Sequence, residues 1–209
     1  MSHASDQRQV LADALAEAGP EAPTLCAGWT AHDLAAHLVA REHRVDSTPG
    51  IRLRPLAGWT ERVRREQARR PFADLVQAFR SGPPRLGWTR LPGLDSLLNL
   101  TEHFVHAEDV RRARPGWEPR ELPFDLERAL WHQAVGVARA QYRHSPVGVV
   151  LVVPDGPRRV IHRGPDSVTL TGAAGELLLY TLGRREQARV DVDGSQAAVA
   201  RLTGLDLDV

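Results

Sequence analysis

The stretches Asp33-Leu-Ala-Ala-His-Leu38 and Thr101-Glu-His-Phe-Val-His-Ala-Glu-Asp-Val110 decide the fold. Residues four apart on an α-helix lie one above the other on the same face, so Glu102 and His106 can act as a pair. A carboxylate and an imidazole placed that way can hold one metal ion, and His37 on another helix can supply a third ligand. Three protein ligands with an open position is the arrangement of catalytic rather than structural zinc. Helical bundles build such sites from side chains that project off facing helices. The spacing permits a site without requiring one. On a helical wheel Leu97, Leu100, Phe104 and Val105 share one side. Glu102 and His106 fall on another, with Asp95, Asn99 and Asp109, as an ordinary solvated stripe would. His37 sits between Leu34 and Leu38 at the margin of an apolar face, where a hydrogen-bonded core histidine is the alternative.

Bulk properties narrow the classes. The 209 residues give room for one large domain or two small ones. Twenty-seven basic residues against 26 acidic ones leave a formal charge of +1, without the excess that marks nucleic-acid binders. All of the basic residues are Arg. Their densest run, Glu61-Arg-Val-Arg-Arg-Glu-Gln-Ala-Arg-Arg70, is interrupted by acids and reads as a solvated helix face. The first residues lack the apolar region of a signal peptide, and no run approaches the roughly 18 apolar residues of a membrane span. A lone cysteine, Cys26, cannot form an intramolecular disulfide. The expectation is a cytoplasmic protein with no nucleic-acid or membrane partner and an oligomeric state left open between monomer and homodimer.

Two patterns divide the chain. Helices are predicted over residues 5–18, 31–45, 60–79 and 94–113, separated by Gly, Pro and Trp punctuation. Thr30 and Asp33 match a capping box, and Pro71 falls inside the third helix. Gly-Trp-Thr occurs at 28–30, 58–60 and 87–89, but the flanks differ, so the tripeptide marks helix entries rather than a repeat. After Gly116-Trp-Glu-Pro119 the pattern changes. A helix over 125–142 precedes strands at 147–153, 159–162, 167–171 and 188–192, with helices at 172–182 and 196–202. The chain is therefore expected to be α+β: a four-helix bundle over 1–118, then a small α+β domain over 119–209, with the boundary inside 114–124.

The remaining candidates have ordinary readings. His32 and His43 sit near helix ends, and His103 points about 100° away from Glu102 and cannot join the pair. Asp33 could orient His37 from behind, or serve only as a cap. Cys26 precedes a helix start and reads as a small buried hydrophobe. Gly172-Ala-Ala-Gly175 is a weak phosphate-loop signal, and no P-loop, Rossmann or Gly-x-Ser-x-Gly motif is present.

Leu25-Cys-Ala-Gly-Trp-Thr-Ala-His-Asp-Leu-Ala-Ala-His-Leu38 resembles the Trp-Thr-x-x-Asp-Leu-x-x-His-Leu signature of the mycothiol-dependent maleylpyruvate isomerase family. Asn99-Leu-Thr-Glu-His-Phe-Val-His-Ala-Glu-Asp-Val-Arg-Arg-Ala113 resembles that family too, within the wider DinB-like group of metal-binding bundles. The closest likeness is to an actinobacterial subfamily described as metal-binding. Gly175-Glu-Leu-Leu-Leu-Tyr-Thr-Leu-Gly-Arg184 is similar to a segment of the family's C-terminal domain. The resemblance implies His37, Glu102 and His106 as metal ligands and Arg184 as an arginine that reaches the active site. It implies a divalent metal, zinc first, though two His and one carboxylate also suit iron, nickel or manganese. Mycothiol is the implied co-substrate, and the activity is that of an isomerase or S-transferase acting on a small electrophile. A non-catalytic metal- or ligand-binding protein and a metal-dependent hydrolase are the rival readings.

Overall fold

A computed structural model describes residues 2–43, 62, 64–82, 94–205 and 207. The chain divides into two compact units, Met1–Glu118 and Pro119–Val209. In the first, α1 (His3–Ala18), α2 (Ala31–His43), α3 (Phe72–Ser81) and α4 (Leu94–Arg112) pack around one core. Ser2 caps α1 by accepting from Ser5 N at 3.3 Å. The helix stops at Gly19, whose φ of 82° strains any residue with a side chain. The capping box of α2 is formed as the sequence predicts: Thr30 N donates to Asp33 Oδ2 at 3.1 Å, and Asp33 N donates to Thr30 Oγ1 at 3.3 Å.

The third helix departs from expectation. Residues 64–67 are helical, 68–70 turn, and α3 begins only after Pro71. Proline has no N–H to continue the ladder and disfavours a helical conformation in the residue before it, so Pro71 ends one helix and starts the next. The expected start at Thr60, residues 44–45 of the second helix and the later Gly-Trp-Thr copies lie outside the described residues.

Leu11, Leu15, Leu34, Leu38, Leu75, Phe79 and Val110 fill the core, with Ala31, Ala35 and Ala36 keeping α2 close to its neighbours. A polar cluster is buried beside them. Glu42 accepts from Arg8 NH1 at 2.5 Å and faces His103 Nε2 at 3.3 Å. The other ring nitrogen of His103 donates to Ala4 O at 2.9 Å, and Arg8 also donates to Phe79 O. This cluster joins α1, α2, α3 and α4, and it occupies His103 entirely.

In the second unit α5 (Phe124–Gln141) packs on α6 (Ala174–Thr181) beside a sheet of β1 (Val149–Val152), β2 (Arg158–His162), β3 (Val168–Thr171) and β4 (Asp191–Asp193). α7 (Gln196–Thr203) follows. The sheet order is β2-β1-β3-β4; β1 and β3 are parallel and the outer pairs antiparallel. The last strand lies at 191–193 rather than the predicted 188–192: Arg189 N is instead taken by the Glu176 carboxylate at 2.7 Å. The amide at the start of α6, Ala174 N, donates to Glu127 Oε2 at 2.8 Å. An internal carboxylate thus sits where the phosphate-loop reading of 172–175 would place an anion. Among the described residues no helix is long and apolar enough to cross a membrane. The architecture is α+β, with the helical unit first.

Burial works against ionising Glu42, but the hydrogen bonds from His103 and Arg8 outweigh it and lower its pKa. Its contribution to stability is therefore complete above the ordinary glutamate value and is lost as pH falls through the lowered one. Glu42→Ala leaves Arg8 and His103 buried without their counter-ion and should cost about 3–5 kcal/mol in urea unfolding at neutral pH. A loss below about 1 kcal/mol would show that the cluster does not hold the helices together.

Candidate metal centre

The centre is built by α4 and by the loop and helix that precede it in the chain. Loop 19–30 closes on itself through Ala31 N–Ala22 O at 2.8 Å and Trp29 N–Cys26 O at 3.0 Å. Leu25 N then donates to Asp109 O at 3.1 Å, which pins the loop to α4. This anchoring sets Cys26 against α4 and brings Trp29 over α2, with its ring centroid 5.1 Å from that of His37.

The polar stripe of α4 does not face solvent. It is turned towards α2, and Glu102 Oε1 is its hub, 3.4 Å from His37 Nε2, 3.3 Å from His106 Nε2 and 3.5 Å from Arg41 Nε. The side chains of His37, Glu102 and His106 keep 15%, 26% and 13% of their exposure, so the group is sheltered but reachable. Arg41 NH1 also donates to Asn99 Oδ1 at 2.8 Å. Behind the stripe, His106 Nδ1 donates to Asp109 Oδ2 at 2.9 Å, and the Cys26 thiol donates to the same oxygen at 3.3 Å. An ionised carboxylate only accepts, so this bond places one ring proton on Nδ1 and turns Nε2 towards Glu102, where the second proton of the cationic ring is held.

These residues fit a divalent cation. Ligand atoms bonded to one ion at about 2.0–2.2 Å in tetrahedral array lie about 3.3–3.6 Å apart. The Glu102 oxygen stands at 3.4 and 3.3 Å from the two imidazole nitrogens, and all three ligand atoms fall within 4.8 Å of one another. A metal-binding histidine ordinarily donates its second ring N–H to a carboxylate, as His106 does to Asp109.

Electrostatics point the same way. Burial opposes ionising Glu102, yet hydrogen bonds from His106 and His37 and the positive charge of Arg41 hold its carboxyl well below the usual range. Burial, with the nearby positive charges of His106 and Arg41, keeps His37 neutral by lowering its pKa. Burial also opposes protonating His106, but Asp109, Cys26 and Glu102 together raise its pKa well above the ordinary value. One imidazole is thus neutral, one carboxylate carries the charge, and the other imidazole holds a proton that a cation would displace.

The structure brings His37, Glu102 and His106 together. Arg184 belongs to the second unit, on the turn after α6, where its NH1 donates to Leu182 O at 2.6 Å. Asp33 does not back His37: its carboxylate is used by Thr30 and by Arg64, at 2.5 Å. Arg64 in turn lies over the Trp29 ring at 5.2 Å. Sequence reasoning missed the partners of the centre, which are Asp109 behind His106, Cys26 beside them, and Arg41 next to Glu102. The spacing of Asp109, one turn beyond His106, was the available signal.

A helical unit carrying a three-donor candidate metal centre, followed by an α+β unit, is the class that fold and geometry define. Residues 1–92 match the family model described as the mycothiol maleylpyruvate isomerase N-terminal domain. That match contains His37 and Cys26 and stops short of Glu102 and His106. The fold is similar to the crystal structure of the mycothiol-dependent maleylpyruvate isomerase, with a TM-score of 0.58 and 18% identity over 91% of this chain and 90% of that one. A histidine-to-alanine mutant of that isomerase matches equally, with the same TM-score and coverage at 17% identity. No curated protein sequence matches the chain.

Two measurements test the centre. Elemental analysis should find bound metal that falls by about one equivalent per chain in His37→Ala and Glu102→Ala and by at least as much in His106→Ala; full metal in any of the three excludes that residue as a ligand. Asp109→Asn should weaken affinity about 10–100-fold. Because a cation displaces the His106 proton, affinity should rise by about tenfold per pH unit below the raised His106 value and level off above it. Affinity independent of pH in that range would exclude the proposed exchange.

Proposed function

We propose that the protein is a metal-dependent enzyme that uses a thiol, with mycothiol as co-substrate, to isomerise or S-conjugate a small electrophilic molecule. The observation that carries this reading is the convergence of His37, Glu102 and His106 on one point, with His106 oriented through Nδ1 by Asp109. The family match over residues 1–92 and the shared fold support the choice of thiol. Two imidazoles and one carboxylate leave part of an ion's coordination shell to other ligands, and zinc heads the candidates. A divalent cation held there supplies Lewis acidity, which makes a thiol give up its proton near neutral pH.

The chain's own residues have distinct tasks. Neutral His37 offers a lone pair, and Glu102 supplies the single negative charge. Asp109 fixes the plane and tautomer of His106. The Trp29 ring against His37 covers one side of the imidazole with an apolar face and limits water there. We assign Arg184 the task of holding a substrate carboxylate through a two-point guanidinium contact.

Calorimetry of the metal-loaded protein with mycothiol tests this. Saturable binding that disappears in His37→Ala, together with thiol-dependent turnover of maleylpyruvate or a related unsaturated acid, is the expected result. Absence of thiol binding would favour a non-catalytic metal-binding protein. Thiol-independent cleavage of esters or amides would identify a hydrolase. Arg184→Ala should raise KM for a carboxylate substrate at unchanged metal content, and an unchanged KM removes Arg184 from the site.

A further inference from the structure

We propose a second cation site back to back with the first, formed by Cys26 Sγ, His106 Nδ1 and Asp109 Oδ2. The three atoms are 3.7 Å (Sγ–Nδ1), 3.3 Å (Sγ–Oδ2) and 2.9 Å (Nδ1–Oδ2) apart. Tetrahedral bonds of about 2.3 Å to sulfur and about 2.0–2.2 Å to nitrogen and oxygen place nitrogen and oxygen about 3.3–3.6 Å apart and each of them about 3.5–3.7 Å from sulfur. The Sγ–Nδ1 edge already has that length, and the two edges to Oδ2, drawn in by their hydrogen bonds, have only to open, the one from sulfur by about 0.2 Å. Cys26 comes from loop 19–30 and the other two from α4, and the Leu25 N–Asp109 O hydrogen bond fixes these pieces together. The trio is therefore held in place by the fold itself.

The two donor sets differ in kind. The first offers two imidazoles and one carboxylate. The second offers a thiolate, a carboxylate and one imidazole nitrogen, so it carries one more negative charge and a soft sulfur. Thiophilic ions such as cadmium, zinc or copper(I) suit it better than magnesium, calcium or manganese. His106 presents opposite ring nitrogens to the two sets, so with both filled its ring bridges them as an imidazolate that has given up both ring protons. On filling, the thiol and Nδ1 protons leave to solvent. Asp109 is fully buried and Cys26 partly exposed, so an ion reaches the trio from the sulfur side. An ion there replaces the hydrogen bond by which Asp109 orients His106, and occupation of one set alters the other.

This inference shares His106 with the proposed function but does not depend on thiol chemistry. Cadmium added to the metal-free full chain is the probe, read by bound stoichiometry and by the ultraviolet charge-transfer band of a cadmium thiolate. Two equivalents and a saturating band are expected. Cys26→Ser should bind one equivalent without the band, and His37→Ala should bind one equivalent with the band intact. Asp109→Asn should weaken the band-forming step by at least tenfold. A single equivalent without a band overturns the second site. A band of unchanged affinity in His106→Ala also overturns it, because the thiol alone is then capturing cadmium. A single equivalent whose band survives His37→Ala supports the second site and instead counts against the first. Circular dichroism establishes that each variant is folded, with Cys26→Ala replacing Cys26→Ser where it is not.

Discussion

Helix α4 is buried along much of its length, yet it carries His103, Glu108, Asp109 and Arg112 inside the protein and His106 at the margin, and the rest of the first unit depends on pairing them. An ionisable group removed from water without a partner costs several kcal/mol, more than most single contacts return. Each of these residues meets a partner. Glu108 takes Arg112 at 2.6 Å and Arg111 at 2.9 Å, and Arg112 also lies over Trp117. His103 takes Glu42 and the Ala4 carbonyl, while His106 takes Asp109 and Glu102. Such pairs contribute little net stability compared with apolar packing, but they tolerate few alternative arrangements of the helices that carry them.

The same constraint separates scaffold from site. In the Glu42 cluster the carboxylate has Arg8 and His103; Glu42 and His103 are buried, and Arg8 alone reaches the surface. In the Glu102 cluster the carboxylate is shared by a neutral imidazole, a protonatable imidazole and Arg41, and all remain partly exposed. A closed, balanced cluster serves packing. An open one with a neutral imidazole and a displaceable proton is suited to a cation.

The capping box of α2 was legible in the sequence because it depends on residues three apart, and α1 because its apolar spacing and its Gly19 stop are local. Pro71 was visible, but whether it perturbs or divides a helix depends on packing after the turn, which resolves in favour of division. By periodicity alone the α4 stripe reads equally as solvated, for a physical reason. Hydrophobic periodicity detects a helix face buried against apolar side chains, and this face is buried against His37 and Arg41 of α2. Cys26 illustrates the same limit: it reads as a small hydrophobe, while its polar neighbours come from residues some eighty positions away. The shift of the last strand likewise turns on Glu176, which takes Arg189 N from another element.

Local signals therefore supplied the elements, and the resemblance of two short motifs singled out His37, Glu102 and His106 among nine histidines and many acids. The structure adds Asp109, and this residue changes what the donor set can do. Without it His106 could keep its last proton on either nitrogen. With Asp109 fully buried and committed to Nδ1, Nε2 is the nitrogen that faces Glu102, and its proton is the one that an incoming ion displaces. The reorientation that binding would otherwise require is thereby built into the fold, as is expected of a site organised ahead of its ligand.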